Sequence, residues 1–154
     1  MNRWRKFRQL SLTEQSTFIQ AVFMLPFMAL ALRLIGLTRC QAALSRSLRS
    51  YEAQSKMPVD IIQQARATAR MLSLANRNGL YKANCLQRSV ALWWLLGRQG
   101  IESSVSVGVR KRADKLEAHA WVECSGVVLN DRDDIHESYA PFDRAVISGS
   151  NQSL

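Results

Sequence analysis

The chain has 154 residues, of which 47% are hydrophobic, and a formal net charge of +9. This length fits one domain, with or without a small extension, and is enough to bury a core. Three widely spaced cysteines, Cys40, Cys85 and Cys124, exclude a disulfide framework and a paired-cysteine zinc site and indicate a reduced, cytoplasmic protein.

The positive charge is concentrated in the N-terminal third. Residues 1–50 carry eight basic residues and one acidic residue, a net charge of +7. Such a surface can serve an acidic peptide, a membrane or nucleic acid, or can simply be a solvated face that keeps the protein soluble. No glycine-rich, aromatic-interleaved or zinc pattern accompanies it, so we expect no nucleic-acid partner.

The first predicted element is helical. A capping box that begins at Ser11 indicates its start. Residues 21–32 are all apolar, but twelve residues fall short of the roughly 20 that span a bilayer, so no transmembrane span is predicted. Pro26 is expected to divide the segment into two buried helices at about 11–25 and 27–37. Peripheral membrane contact remains an alternative.

A linker is predicted at residues 51–57, and it divides the chain in two. Residues 1–54 would form a helical extension that contacts a partner, and residues 55–154 would form the core. Apolar residues then recur at three- and four-residue steps, which predicts an amphipathic helix over 59–76.

The next helix begins at a cysteine. Asn84 can cap it, Cys85 would be its first residue, and it would continue to Gly97 or Gly100. It is apolar almost all round, which is typical of a buried helix. The positive end of a helix favours a thiolate at Cys85. Arg88, one turn on, could assist that thiolate or hold a structural carboxylate, and we favour the structural role.

After Gly100 the spacing of apolar residues changes from the helical period to an alternation of apolar and polar residues, which predicts antiparallel strands. Strands are expected at 104–109, 118–124 and 127–130, with a charged hairpin loop over 110–116 and a tight turn at 125–126. The fold class is therefore α+β, with the Cys85 helix packed on an antiparallel sheet.

The second hairpin places His119 and Asp131 on adjacent strands at a similar level. A carboxylate there can fix the tautomer of an imidazole and stabilise its charged form. With Cys85 they make up a nucleophile, its base and the group that orients the base.

Each of these residues also has a structural explanation. A lone histidine within a strand is more often structural, and Asp131 could be a turn residue. His136 is a rival base in a polar loop. Cys124 is a rival thiol, but it alternates onto the face opposite His119, and Cys40 has no partner nearby.

These motifs resemble a known family, the lasso-peptide maturation proteases, whose core is transglutaminase-like and belongs to the papain-like superfamily. The similarity covers about residues 55–143. It implies that Cys85, His119 and Asp131 are the catalytic residues. It rests on the following segments, in this order: Cys85-Leu86-Gln87-Arg88-Ser89, Ala91-Leu92-Trp93-Trp94-Leu95-Leu96, Gly100-Ile101, Val107-Gly108-Val109-Arg110, Ala118-His119-Ala120-Trp121-Val122-Glu123 and Leu129-Asn130-Asp131.

The resemblance implies a cysteine peptidase that removes the leader from a ribosomally made precursor, with no metal and no cofactor. A separate cyclase would then use ATP, and a separate leader-recognition protein would deliver the precursor, with the N-terminal third as the docking surface. The Cys85 backbone N–H is the expected oxyanion donor, and the Trp121 indole is a candidate for the second. Two alternatives remain, a transglutaminase-like acyl transferase and a non-catalytic scaffold.

Overall fold

The computed structural model describes residues 11–48, 58–79, 81–141 and 147–148. Three helices precede a small sheet, so the α+β prediction is confirmed. The predicted linker at 51–57 lies outside the described residues, and the boundary at residue 54 stays a prediction. The elements are α1 (Leu12–Leu48), α2 (Pro58–Asn78), α3 (Cys85–Arg98), β1 (Ser104–Arg112), β2 (Lys115–Cys124), β3 (Val127–Val128), α4 (Ile135–Ser138), β4 (Ala140–Pro141) and β5 (Ile147–Ser148).

The predicted break at Pro26 is wrong, because α1 continues through it. Ala21, Leu25 and Met28 form a continuous buried stripe on both sides of the proline, and this packing keeps the chain helical despite the missing N–H. The helical geometry is interrupted instead at Gly36, whose φ of 76° and ψ of 170° lie in a region that suits glycine.

Helix α1 is apolar on two opposite faces, and only one of them is covered. Its inner face joins a core shared with α2, α3 and the sheet. On the outer face Phe23 is 72% exposed, Phe27 58% and Leu34 72%. The prediction of buried helices therefore holds for one face only.

By length and composition, α1 could also cross a membrane. Counting only the uninterrupted apolar residues had suggested that the segment was too short. The inner face packs in the core, but only 22% of the 18-residue apolar window is buried.

The other helices agree with the predictions. Helix α2 contains the predicted span 59–76, and α3 begins at Cys85 and ends before Gly100. A buried hydroxyl joins the two helices, because Thr68 Oγ1 donates to Gln99 Oε1 at 3.0 Å. Seven of the 14 residues of α3 are buried and none is exposed, in agreement with its all-round apolar sequence.

The strands form an antiparallel sheet in the order β3-β2-β1-β4, and β5 also pairs with β1. The predicted loop over 110–116 is wrong, since β1 and β2 pair as far as Arg112 and Lys115. Ala113 and Asp114 alone make the turn, both with positive φ, which is the geometry of a tight hairpin. In this register Gly108 lies opposite His119.

Candidate active site

The first turn of α3 holds Cys85 in a defined position. The Asn84 side chain accepts from the Gln87 N–H at 2.9 Å, and Gln87 Oε1 accepts from the Asn84 N–H at 3.1 Å. The Tyr81 hydroxyl also donates to Gln87 Oε1, at 3.0 Å. The Cys85 N–H belongs to the first turn, whose donors have no acceptor within the helix. The thiol is half-buried and free of any disulfide.

His119 and Asp131 are in direct contact. His119 Nε2 lies 2.5 Å from Asp131 Oδ2, and the two side chains are 20% and 21% exposed. With Nε2 committed to the carboxylate, Nδ1 is the ring nitrogen left to exchange a proton with another group. Within the described residues no hydrogen bond joins His119 to the Cys85 thiol, although such contacts often tighten only when substrate binds.

A buried serine connects α3 to the strand that carries His119. Ser89 Oγ donates to the Ala120 carbonyl at 3.0 Å and accepts from Asn130 Nδ2 at 3.0 Å. Asn130 Oδ1 in turn accepts the Val122 N–H at 2.8 Å. Cys85 is one helical turn before Ser89, so it lies close to the segment that carries the His119–Asp131 pair.

The third strand is shorter than predicted. Its ladder pairs are Val127 and Val128, followed by one main-chain bond from the Leu129 N–H to the Val122 carbonyl at 3.0 Å, and Asp131 lies in a bend rather than in the ladder. The Asn130 side chain takes the place of a main-chain acceptor for β2. Because a side chain and not a main-chain carbonyl accepts the Val122 N–H, the chain can leave the ladder here and turn Asp131 toward the imidazole.

An aromatic ring packs on His119. The Tyr139 ring lies 5.2 Å from the imidazole, with an interplanar angle of 29°. The Arg110 guanidinium lies over this same Tyr139 ring, 4.5 Å from its centroid, and forms an ion pair with Glu117 at 2.7 Å. The hydrogen bond with Glu117 raises the pKa of Arg110 above its ordinary value. We did not predict Tyr139 or Arg110 as part of the site, because only the fold brings these segments together.

The two rival thiols are buried. Burial raises the pKa of both the Cys40 and the Cys124 thiols above their ordinary value, which favours the protonated, unreactive form. Cys40 Sγ contacts Met28 Sδ at 3.7 Å in the core. Both cysteines therefore have the surroundings of structural residues, as proposed for Cys124. The rival base His136 was expected in a polar loop, but its backbone lies in the short helix α4; its side chain is outside the described part.

The proposed role of Trp121 as an oxyanion donor does not fit its surroundings. The indole is fully buried, and its single N–H donates to Glu123 Oε1 at 2.5 Å. That contact does confirm that Trp121 and Glu123 share a face of β2. An indole has one hydrogen to donate, and Glu123 accepts it, so Trp121 is not the second oxyanion donor.

Arg88 lines a pocket of about 410 Å³ beside Asp131, together with Arg70, Asn130 and Arg132. Its Nε is buried and has no hydrogen-bond partner among the described residues. No group of three or more potential metal ligands occurs in the part of the chain that the structure describes.

Comparison with known proteins identifies the family of this chain. A family model described as the Transglutaminase-like superfamily matches residues 24–144. The microcin J25-processing protein of Escherichia coli is 35% identical over 60 residues, which is 39% of this chain and 28% of that protein. No solved structure gives a significant match. Because the family model covers most of its length, this chain belongs to the transglutaminase-like superfamily.

Proposed function

We propose that this protein is a cysteine peptidase that removes the leader from the precursor of a lasso peptide. Membership of the superfamily and the similarity to a microcin-processing protein support a role in lasso-peptide processing. The observation that carries the peptidase assignment is the His119–Asp131 pair, held beside the helix that begins with Cys85. The reduced thiol that this chemistry needs is maintained in the cytoplasm, where we place the protein.

The reaction is acyl transfer to water through a thioester. The Cys85 thiolate attacks the carbonyl carbon of the last leader residue and forms a C–S bond. His119 then gives a proton to the departing amine as the C–N bond breaks. A water molecule transfers its proton to His119 and attacks the thioester, which releases the leader as a carboxylic acid and regenerates the thiol.

Two features assist this chemistry. Asp131 holds the imidazole through Nε2, orients Nδ1 for proton transfer and stabilises the imidazolium that forms. The Cys85 N–H can donate to the oxyanion of the tetrahedral intermediate, and such a donor is worth about 3–4 kcal/mol in other enzymes. The reaction requires no cofactor and no metal.

The decisive experiment measures cleavage of a precursor peptide by mass spectrometry. We expect wild type to release a leader with a free carboxylate, whereas C85A and H119A do not. C124A is the matched control, because it removes a buried thiol from the core. Transfer of the leader to an amine would support the acyl transferase instead. Full maturation with C85A would support a scaffold.

We also propose that the outer face of α1 binds the separate leader-recognition protein, with the cyclase as a further member of the complex. A stripe of large apolar side chains is exposed there, and contiguous apolar patches of this kind mark interaction sites. The stripe consists of Leu12, Ile19, Phe23, Phe27, Leu30 and Leu34, spaced mostly three or four residues apart.

Deleting residues 1–50 would not test this docking surface, because it would also remove the buried face of α1 from the core. The double substitution F23S/F27S changes the outer face alone. We expect partner-dependent cleavage to fall by about tenfold or more, as for central interface residues, with Cys85 alkylation unchanged. L116S, which changes an exposed leucine on the β1–β2 hairpin, is the control. Equal cleavage by both variants would contradict this docking site.

A further inference from the structure

Ser89 is a buried polar residue within an apolar helix. It is fully buried, and its neighbours Val90, Ala91 and Leu92 are as well. A hydroxyl in such a place is destabilising unless it is hydrogen-bonded, and a small apolar residue would fill the same space at a lower desolvation cost. Its two hydrogen bonds both leave the helix, to Ala120 and to Asn130.

Each of these two partners is adjacent in sequence to one residue of the His119–Asp131 pair. Ala120 follows His119, and Asn130 precedes Asp131. Asn130 makes a second bond, to the Val122 N–H at 2.8 Å, and is therefore fixed to both α3 and β2. One chain of three hydrogen bonds thus sets the first turns of α3, the His119 strand and the Asp131 bend relative to one another.

We propose that Ser89 and Asn130 are positioning residues for the reaction assigned to Cys85, and this rests on the proposed function. They make no contact with the reacting atoms. They hold the nucleophile-bearing helix against the His119–Asp131 pair, and the geometry of proton transfer depends on this alignment. Displacing a reacting group by about 1 Å can lower a rate by about 100-fold.

The substitution S89A removes both bonds and leaves Asn130 Nδ2 without its partner. We expect kcat to fall about 10- to 100-fold, with KM changed less than about threefold, because alignment and not binding is lost. The rate of Cys85 alkylation by iodoacetamide near neutral pH is the second readout. It should fall for both S89A and H119A, because each substitution removes the imidazole from its proposed place as the base for the Cys85 thiol.

Thr68, in α2, offers a matched control, because it contacts Gln99 at the opposite end of α3 from Cys85. It is also a buried hydroxyl, and its one hydrogen is shared between the Gln64 carbonyl oxygen at 3.1 Å and Gln99 Oε1 at 3.0 Å. T68V should lower stability to a similar degree as S89A but leave kcat and the alkylation rate within about threefold of wild type. Equal losses of kcat in the two variants would show a merely structural role and overturn the proposal.

Asn130 provides an independent test. If Ser89 and Asn130 act through their mutual hydrogen bond, S89A/N130A should lose less activity than the two single losses combined. Fully additive losses would contradict a shared alignment. N130A also serves if S89A does not fold. The alkylation rates remain informative if wild type cleaves no peptide, so failure of this proposal is distinguishable from failure of the peptidase assignment.

Discussion

Replacing Gly108 with alanine should damage both the fold and the site. Gly108 lies opposite His119 in the β1–β2 ladder. A Cβ at this position would lie 2.9 Å from Trp121 Cη2, 2.9 Å from Tyr139 Cβ and 3.0 Å from the Ala140 carbonyl oxygen. Carbon atoms in contact are normally about 3.5–4.0 Å apart, so several groups would have to move together.

The size of the effect follows from how little these neighbours can yield. Trp121 is fully buried, and the carbonyl belongs to a paired strand. Overpacking of this kind costs about 1–3 kcal/mol, which lowers the Tm of a domain of this size by roughly 2–4 °C for each kcal/mol. Tyr139 stacks on the His119 ring, so moving it should also shift the imidazole and lower kcat by about tenfold or more.

Urea denaturation, thermal melting and the precursor cleavage assay measure these losses together. G97A is the control, since its Cβ would meet Leu48 Cδ1 at 2.5 Å, the flexible end of a side chain. Alanine is also favoured over glycine inside a helix by about 1 kcal/mol, so we expect G97A to change stability by less than about 1 kcal/mol. A G108A protein as stable and active as G97A would refute the packing argument.

Three further predictions concern the site and the cysteines. D131N should lower kcat by about 10³-fold or more by disturbing the orientation and charge of the imidazole, whereas D133N, at an exposed neighbour, should not; a similar rate for both in the cleavage assay would contradict the pairing. Iodoacetamide at pH 8 should label Cys85 in the folded protein but Cys40 and Cys124 only after denaturation, and early labelling of either would contradict their burial. Because burial raises the folded-state pKa of Cys40 and Cys124, their contribution to stability is complete below the ordinary value of 9.0 and is lost as the pH rises above it. The free energy of unfolding, measured with urea from pH 7 to 10, should therefore decline as the pH rises, and this decline should be smaller in C124A.

The sequence predicted the features that depend on neighbouring residues. The Asn84 cap, the start of α3 at Cys85 and the turn at 125–126 each follow from a few adjacent side chains. The contact between His119 and Asp131 was also predictable, because a tight turn fixes which residues of a hairpin lie near each other. These local rules were enough to bring the histidine and the carboxylate together.

Contacts between distant segments could not be read in the same way. The bond from Asn130 to Ser89 joins residues that are 41 positions apart, and the one from Trp94 Nε1 to Ser47 joins residues 47 positions apart. No periodicity specifies such pairs, since they form only after helices and strands have packed. The stacking of Tyr139 on His119 depends in the same way on the return of β4 to β1.

The outer face of α1 shows why an apolar sequence does not by itself locate a core. A helix that is apolar on opposite sides has little periodic asymmetry, so its sequence does not indicate which side is covered. Here α2 and α3 cover the side of Ala21, Leu25 and Met28 and leave the side of Phe23 and Phe27 in solvent. If the exposed stripe served only the fold of this chain, polar substitutions there would be neutral or would improve solubility. Loss of partner-dependent cleavage with unchanged Cys85 alkylation would instead assign it to intermolecular binding.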